Sequence, residues 1–297
     1  MIGVFDSGVG GLSVWREMVR ELPDVPTLYV ADQAHVPYGP RPLEEVRRFA
    51  EKITRFLLAQ GATVVVLACN TASAAALHYL RAVFPQVPFV GMEPAVKPAV
   101  QRTRNGRVGV IATPATFQGE LFASLLERFG RDARVIPQVC PGLVEAVENG
   151  ALDTPETEVL LRSCLEPLLA AGIDELVLGC THYPFLRPLM ERIVGPGVEI
   201  VDPAPAVARQ VRRVLEKNCS AGYQPARPTF YTTGDPARFA QMLESRSTGY
   251  QPAPHTFYTT GDPARFAWAL ERLVGVRAEV RFLHWEGDDL RCVMRNA

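Results

Sequence analysis

Short apolar, β-branched runs alternate with segments of helical period along most of this 297-residue chain. That alternation constrains the fold more than any other feature, because it demands βαβ crossovers and hence a mostly parallel sheet. Strands are predicted at Ile2–Phe5, Thr27–Ala31, Thr63–Ala68, Pro88–Gly91, Arg107–Ala112, Ala133–Pro137, Glu175–Gly179 and Val198–Val201. Leu43, Val46, Phe49, Ile53 and Phe56/Leu57 recur at the spacing of one helix face, which predicts a helix over 43–60. Pro94, Pro184 and Pro203 each suit the first turn of a following helix.

The alternation is also doubled. Ile2-Gly3-Val4-Phe5-Asp6-Ser7 resembles Val108-Gly109-Val110-Ile111-Ala112-Thr113, and Val64-Val65-Val66-Leu67-Ala68-Cys69-Asn70-Thr71 resembles Leu176-Val177-Leu178-Gly179-Cys180-Thr181 at a similar offset. The expectation is two similar doubly wound α/β domains with mostly parallel sheets, related by a pseudo-twofold. Residues 1–93 and a returning 208–297 would form the first, and 94–207 the second. Such symmetry brings the two cysteine-bearing strand ends towards one interdomain cleft, the expected active site.

A second, much stronger repeat relates Gly222–Ala240 to Gly249–Ala267, with only Arg227/Pro254 and Pro228/His255 differing. Two copies are too few for a solenoid. The second copy runs into an amphipathic helix (Phe266, Leu270, Leu273, Val274) and then a strand over Ala278–Leu283, whereas the first breaks off at Ser245–Gly249. The second is therefore expected to hold the native strand–helix position. The first is expected to form a surface insertion or an extra edge strand, with no role for the repeat in the active site.

Lys and Arg total 31 against 32 Asp and Glu, so no basic surplus points to nucleic acid and no basic amphipathic stretch to a membrane surface. The longest apolar run, Val64–Cys69, has the length of a strand and not of a membrane span. Met1 leads at once into Ile-Gly-Val-Phe-Asp, with no charged and then apolar leader, which predicts a cytoplasmic protein. In that compartment Cys69, Cys140, Cys164, Cys180, Cys219 and Cys292 are expected as free thiols. None lies in a CxxC pair, so no metal site is expected. Cys140, Cys164, Cys219 and Cys292 are read as ordinary structural or exposed residues, and His78, His255 and His284 have no neighbour that suggests chemistry.

Chemistry is expected at the carboxyl ends of the strands. Asp6-Ser7-Gly8-Val9-Gly10-Gly11 follows the first strand and opens a helix at Leu12, a place where backbone can approach a carboxylate closely. Position 13 is Ser13, so the dinucleotide spacing is not met. Val36-Pro37-Tyr38-Gly39 follows the second strand, with His35 just before it. Cys69-Asn70-Thr71 and Cys180-Thr181-His182-Tyr183-Pro184 follow the paired strands. A thiol at a helix N-terminus is expected to have a lowered pKa. One such cysteine could be nucleophile, base or core. Two on opposite sides of a cleft suit inversion of a stereocentre, which needs a base on one face and an acid on the other. The chain has only three lysines, Lys52, Lys97 and Lys217, none placed as a Schiff-base anchor, so a pyridoxal route is disfavoured and no cofactor is expected.

Asp6–Val14, Pro37–Gly39, Cys69–Ser73 and Gly179–Pro184 together closely resemble the glutamate racemases of peptidoglycan synthesis, in order and spacing through residues 1–215, and the C-terminal Thr-Thr-Gly-Asp fits as well. Aspartate racemases are similar but lack His-Tyr-Pro after the second cysteine. The resemblance implies that Cys69 takes the α-proton from D-glutamate and Cys180 from L-glutamate. Asp6 would assist Cys69, and His182 would assist Cys180. Glu148 would support His182, with Glu145 as a competitor for that role. Ser7, Tyr38, Gly39, Asn70, Thr71 and Thr181, with Thr113 and Thr116, would bind the amino acid, as would Asp6 and His182. It also implies glutamate as the small-molecule partner and leaves a homodimer open. Activation by a peptidoglycan precursor goes with an N-terminal extension not seen here and is not expected. The alternatives are an aspartate or other amino-acid racemase, a cysteine hydrolase with one nucleophilic thiol, or a non-catalytic binder of acidic amino acids.

Overall fold

A computed structural model describes residues 1–219, 254–287 and 289–292. The strands sort into two sheets. The first holds β1 (Ile2–Asp6), β2 (Thr27–Ala31), β3 (Val64–Leu67), β4 (Phe89–Val90), β9 (His255–Thr259), β10 (Val280–Glu286) and β11 (Asp289–Cys292), in the order β11-β10-β9-β2-β1-β3-β4. The second holds β5 (Arg107–Ala112), β6 (Arg134–Val139), β7 (Glu175–Gly179) and β8 (Glu199–Val201), in the order β6-β5-β7-β8. Every pairing is parallel except β10 with β11. The order β2-β1-β3-β4 and the order β6-β5-β7-β8 are the same topology, so the doubling seen in the sequence is a doubling of the fold. β1 corresponds to β5 and β3 to β7, the pairs whose sequences match.

β1, β2, β3 and β7 are buried along their whole length, which accounts for continuous apolar runs in place of alternation. The helix read at 43–60 is α2 (Leu43–Ala59), with Val46, Phe49, Ala50, Ile53, Phe56 and Leu57 buried and Glu44 and Glu45 at its positive end. The three prolines behave less uniformly than expected. Pro184 begins a short 3-10 turn (Tyr183–Leu186), while Pro94 and Pro203 lie just before α4 (Val96–Arg102) and α10 (Ala204–Cys219). Helix α10 packs on α1 (Leu12–Glu21), and one apolar cluster runs from Val4 and Tyr29 of the first sheet and Trp15 of α1 to Ile111 and Leu178 of the second sheet and Tyr183 beside it. The two lobes thus share a core. Each large side chain fully buried there contributes roughly 1.5–3 kcal/mol.

The second copy of the tandem repeat does hold a strand–helix position. β9 pairs with β2, and α11 (Pro263–Val274) starts at an Asp262 cap and stops at Gly275 in the left-handed region (φ 73°). Phe257 and Phe266 of this copy, and Leu270 just past it, are buried. The expectation for the first copy, Gly222–Ala240, falls outside the described residues. Two features depart from the sequence reading. The strand expected to end at Leu283 continues to Glu286 and turns back as β11, and Cys140 and Cys164 are joined as a disulfide where free thiols were expected. Cys140 ends β6 and Cys164 lies on α8 (Pro155–Ala170), with Cα atoms 5.4 Å apart, and packing of that helix over the strand brings the sulfurs together. Cys69, Cys180 and Cys292 are free. No helix of the described residues is long and apolar enough to cross a membrane.

Candidate active site

Parallel strands direct their carboxyl ends to one side. Segments following β1, β2 and β3 there meet segments following β5, β6 and β7 around a small, narrow cavity. The first lobe lines it with Ser7, Pro37, Tyr38, Gly39, Cys69, Asn70 and Thr71, the second with Thr113, Val144, Cys180, Thr181 and His182. Both free buried cysteines therefore face one space.

Cys69 is the cap of α3 (Asn70–Val83), its Sγ accepting the Ala72 N–H at 3.4 Å. The helix end was expected to lower this thiol's pKa. Instead, burial and the adjacent Asp6 carboxylate push it well above the ordinary thiol value, outweighing the Ala72 and Ser7 N–H groups. Asp6 is itself buried and ties its own loop, accepting Gly8 N at 3.0 Å and Gly11 N at 2.9 Å, with Thr181 Oγ1 3.4 Å from its other oxygen. Burial raises the Asp6 pKa, against the His182 charge and those two backbone donors.

Cys180 meets a different environment. Its Sγ lies 3.7 Å from His182 Nδ1, and His182 Nε2 lies 2.8 Å from Glu148 Oε1. Burial alone would lower the His182 pKa, but its hydrogen bonds and charge contacts with Cys180 and Glu148 raise it well above the ordinary value. Glu148 runs the other way. Burial opposes its ionisation, yet His182, Val9 N at 2.7 Å and Gln33 Nε2 at 2.9 Å together lower its pKa. Of the two acidic residues, Glu148 is the one buried against the histidine, while Glu145 is exposed. The Gly8–Gly10 backbone passes so close that a Cβ at Gly8 would strike the Glu148 carboxylate and one at Gly10 the His182 ring.

Thr71, Thr113 and Thr116 form a hydroxyl triangle across the lobes, with Oγ1 separations of 2.9 Å, 3.0 Å and 3.4 Å. Asn70 is buried on the cavity wall, and neither Nδ2 nor Oδ1 of its amide has a protein partner among the described residues. A cavity wall with a spare donor and a spare acceptor suits a zwitterion. Among the described residues no three His, Cys, Asp or Glu side chains are grouped to hold a metal ion.

Residues 2–211 match the model of the Asp/Glu/hydantoin racemase family. The chain belongs to that family. Among its relatives, the glutamate racemase of Ectopseudomonas mendocina is 54% identical over 243 residues, covering 82% of this chain and 92% of that one. A glutamate racemase isoform from Bacillus anthracis superposes with a TM-score of 0.79 at 32% identity, covering 97% and 98% of the two chains. The Thermus thermophilus glutamate racemase, solved with β-chloro-D-alanine, gives 0.72 at 35% identity, covering 95% and 96%. Within the family the chain is an amino-acid racemase of the glutamate racemase branch.

Against this racemase's cavity, Ser7, Tyr38, Gly39, Cys69, Asn70, Thr71, Thr113, Cys180, Thr181 and His182 are wall residues, while Asp6, Glu148 and Thr116 stand behind them. His35 stacks on Phe49 with ring centroids 3.9 Å apart and is not part of the wall. Sequence reasoning missed Pro37 and Val144 on the wall and two polar groups behind it. Buried Asp32 accepts from Tyr38 Oη at 2.7 Å, Thr260 Oγ1 at 2.8 Å, Trp285 Nε1 at 2.9 Å and lies 2.9 Å from His35 Nδ1. Gln33 bonds Glu148 and Thr259. Both directly follow the end of β2, so the strand-end rule that selected Tyr38 applies to them equally. Thr259 and Thr260 of the repeat's second copy bond Gln33 and Asp32 behind the wall and do not line the cavity.

Proposed function

We propose that this chain interconverts L- and D-glutamate by cofactor-independent proton transfer between two cysteines, and that it supplies D-glutamate for peptidoglycan synthesis in the cytoplasm. The observation that carries the mechanism is the pair of free thiols, Cys69 and Cys180, at equivalent strand ends facing one cavity. Inversion requires one deprotonated and one protonated group at the start of each turnover. Burial and Asp6 keep Cys69 as a thiol, while the cationic His182 ring offers Cys180 a donor. In the L-to-D direction the Cys180 thiolate takes the α-proton, the bonding electrons remain on Cα beside the carboxylate, and the Cys69 thiol delivers its proton to the opposite face. The reverse direction begins with the thiolate on Cys69. One proton is removed and one delivered, so nothing else is consumed.

Asp6 serves the Cys69 side, and His182 held by Glu148 serves the Cys180 side. Asn70, Thr71, Thr113, Thr181, Ser7, Tyr38 and Gly39 hold the amino acid, with Thr116 fixing the two threonines. Residues 1–93 with 208–297 act as one domain and 94–207 as the other, the substrate lying between them in each subunit of a homodimer. The test is proton exchange in D2O. L-glutamate should yield D-glutamate labelled at Cα without added pyridoxal phosphate, and Cys69→Ala or Cys180→Ala should each abolish it. Inversion without solvent label would refute the scheme.

A further inference from the structure

Glu148 touches His182 through Oε1, and that oxygen is also fixed by Val9 N at 2.7 Å. Its other oxygen, Oε2, accepts Gln33 Nε2 at 2.9 Å. Gln33 comes from the opposite lobe, two residues past the end of β2, while Glu148 ends α7 (Leu143–Glu148) in the second lobe. The far side of the Gln33 amide accepts Thr259 Oγ1 at 2.9 Å. Thr259 Oγ1 in turn accepts Gly261 N at 3.0 Å. The carboxylate fixes the amide's orientation, because it can only accept: a flipped amide would set a carbonyl oxygen against it, so Nε2 faces Glu148 and Oε1 takes the Thr259 hydroxyl hydrogen. Gln33 packs tightly where it sits, since a Cβ at Gly261 would come within 2.8 Å of Gln33 Cβ.

We propose that Gln33 is a positioning residue for the Cys180 half of the reaction. In this role, which rests on the two-cysteine reading above, the oriented chain Thr259–Gln33–Glu148 holds the carboxylate so that it takes His182 Nε2–H and leaves Nδ1 for Cys180. Gln33 itself is not on the cavity wall and touches no reacting atom. A hydrogen bond to a buried ionised group is among the stronger kinds. Removing this one leaves Oε2 of a buried carboxylate without that donor, weakens the hold on the imidazolium, and lets the ring drift from Cys180. Neither Asp6 nor Cys69 bonds Gln33 itself: Asp6 takes backbone donors from Gly8 and Gly11, and Cys69 takes one from Ala72.

The test compares Gln33→Met, close in shape but without the amide, with the native enzyme. Glutamate racemisation should lose about ten- to a hundredfold in kcat with KM within about twofold. Independently of turnover, iodoacetamide alkylation distinguishes the two thiols. With Cys69→Ala as background, Gln33→Met should slow alkylation of Cys180 several-fold, whereas with Cys180→Ala it should leave Cys69 unchanged. Thr259→Val should act in the same direction, and Thr259→Ser should restore native behaviour. Native kcat and native Cys180 reactivity in Gln33→Met would overturn the proposal, as would an equal slowing at both cysteines, which marks general loosening of the fold. If the single cysteine variants still racemise glutamate, the two-cysteine reading fails, and the alkylation comparison still judges Gln33.

Discussion

Gly10→Ala adds one methyl group, and the structure says where it goes. Gly10 is not among the glycines with positive φ, so alanine suits its backbone. The added Cβ would lie 2.7 Å from His182 Cγ. Carbon atoms rest at about 3.5–4.0 Å, so the ring or the loop must yield by roughly 1 Å. Neither is free to do so. Gly10 O is held by Ser13 N at 3.0 Å and Ser13 Oγ at 2.8 Å, and the ring is held by Glu148 at 2.8 Å. Overpacking of this kind destabilises by about 1–3 kcal/mol. A 1 Å displacement of a catalytic group costs on the order of a hundredfold in rate. The expected result is a fall of about a hundredfold in kcat for Gly10→Ala, read by circular dichroism of glutamate in both directions. Because the enantiomers have equal free energies, kcat/KM must fall equally from either side. Gly61→Ala is the control. Gly61 has φ 90° and nothing within 4 Å of an added Cβ, so it loses about 1–3 kcal/mol to backbone strain and no activity. Native kcat in Gly10→Ala would refute the claim that His182 is pinned against this loop.

Three further outcomes follow from the same geometry. Thr113→Val removes the hydroxyl joining Thr71 and Thr116, which should raise the KM for glutamate several-fold and lower stability by about 1 kcal/mol, measured by kinetics and urea melts. Excision of residues 222–248, the first repeat with its tail, should leave kcat within about twofold, because the contacts of β9 and α11 come from the second copy; loss of activity on excision would show that the first copy matters. Glu148→Gln should lower stability by roughly 3 kcal/mol at its most damaging pH. The folded Glu148 pKa is depressed, so its contribution is present above the unfolded value near 4.5 and fades as pH falls through the folded value. The folded His182 pKa is raised, so its contribution is full below about 6.5 and fades as pH rises through the folded value. The Tm difference between native and Glu148→Gln should therefore be widest between those limits and narrow on both sides; a gap that does not vary with pH would contradict the ion pair.

Much of this was legible in the chain, and what was not has a common cause. β1 with β5 and β3 with β7 were visible as matched apolar runs, since a strand buried on both faces writes its burial into consecutive residues. Cys69, Cys180 and their polar neighbours were visible because ligand sites sit at strand ends. The contact of Gln33 with Thr259 was not, because the two are separated by 226 residues and meet only once β9 pairs with β2. The shift at Cys69 was read with the wrong sign for the same reason: the helix end is local and visible, whereas the burial that outweighs it is a property of the closed cavity. The Cys140–Cys164 bond likewise joins two segments that only packing brings together.

The doubled fold explains why the two thiols face each other, but not why their surroundings differ. Cys69 is backed by a carboxylate and a helix end, Cys180 by an imidazolium braced on Glu148. Perfect twofold symmetry would suit only the α-proton, which leaves from one face and returns to the other. The substrate's carboxylate, ammonium and side chain stay where they are bound throughout, so the remainder of the cavity has to be asymmetric. Duplication supplies the opposed strand ends, and divergence behind them, at Asp6 on one side and at Glu148 and His182 on the other, supplies the asymmetry of their surroundings.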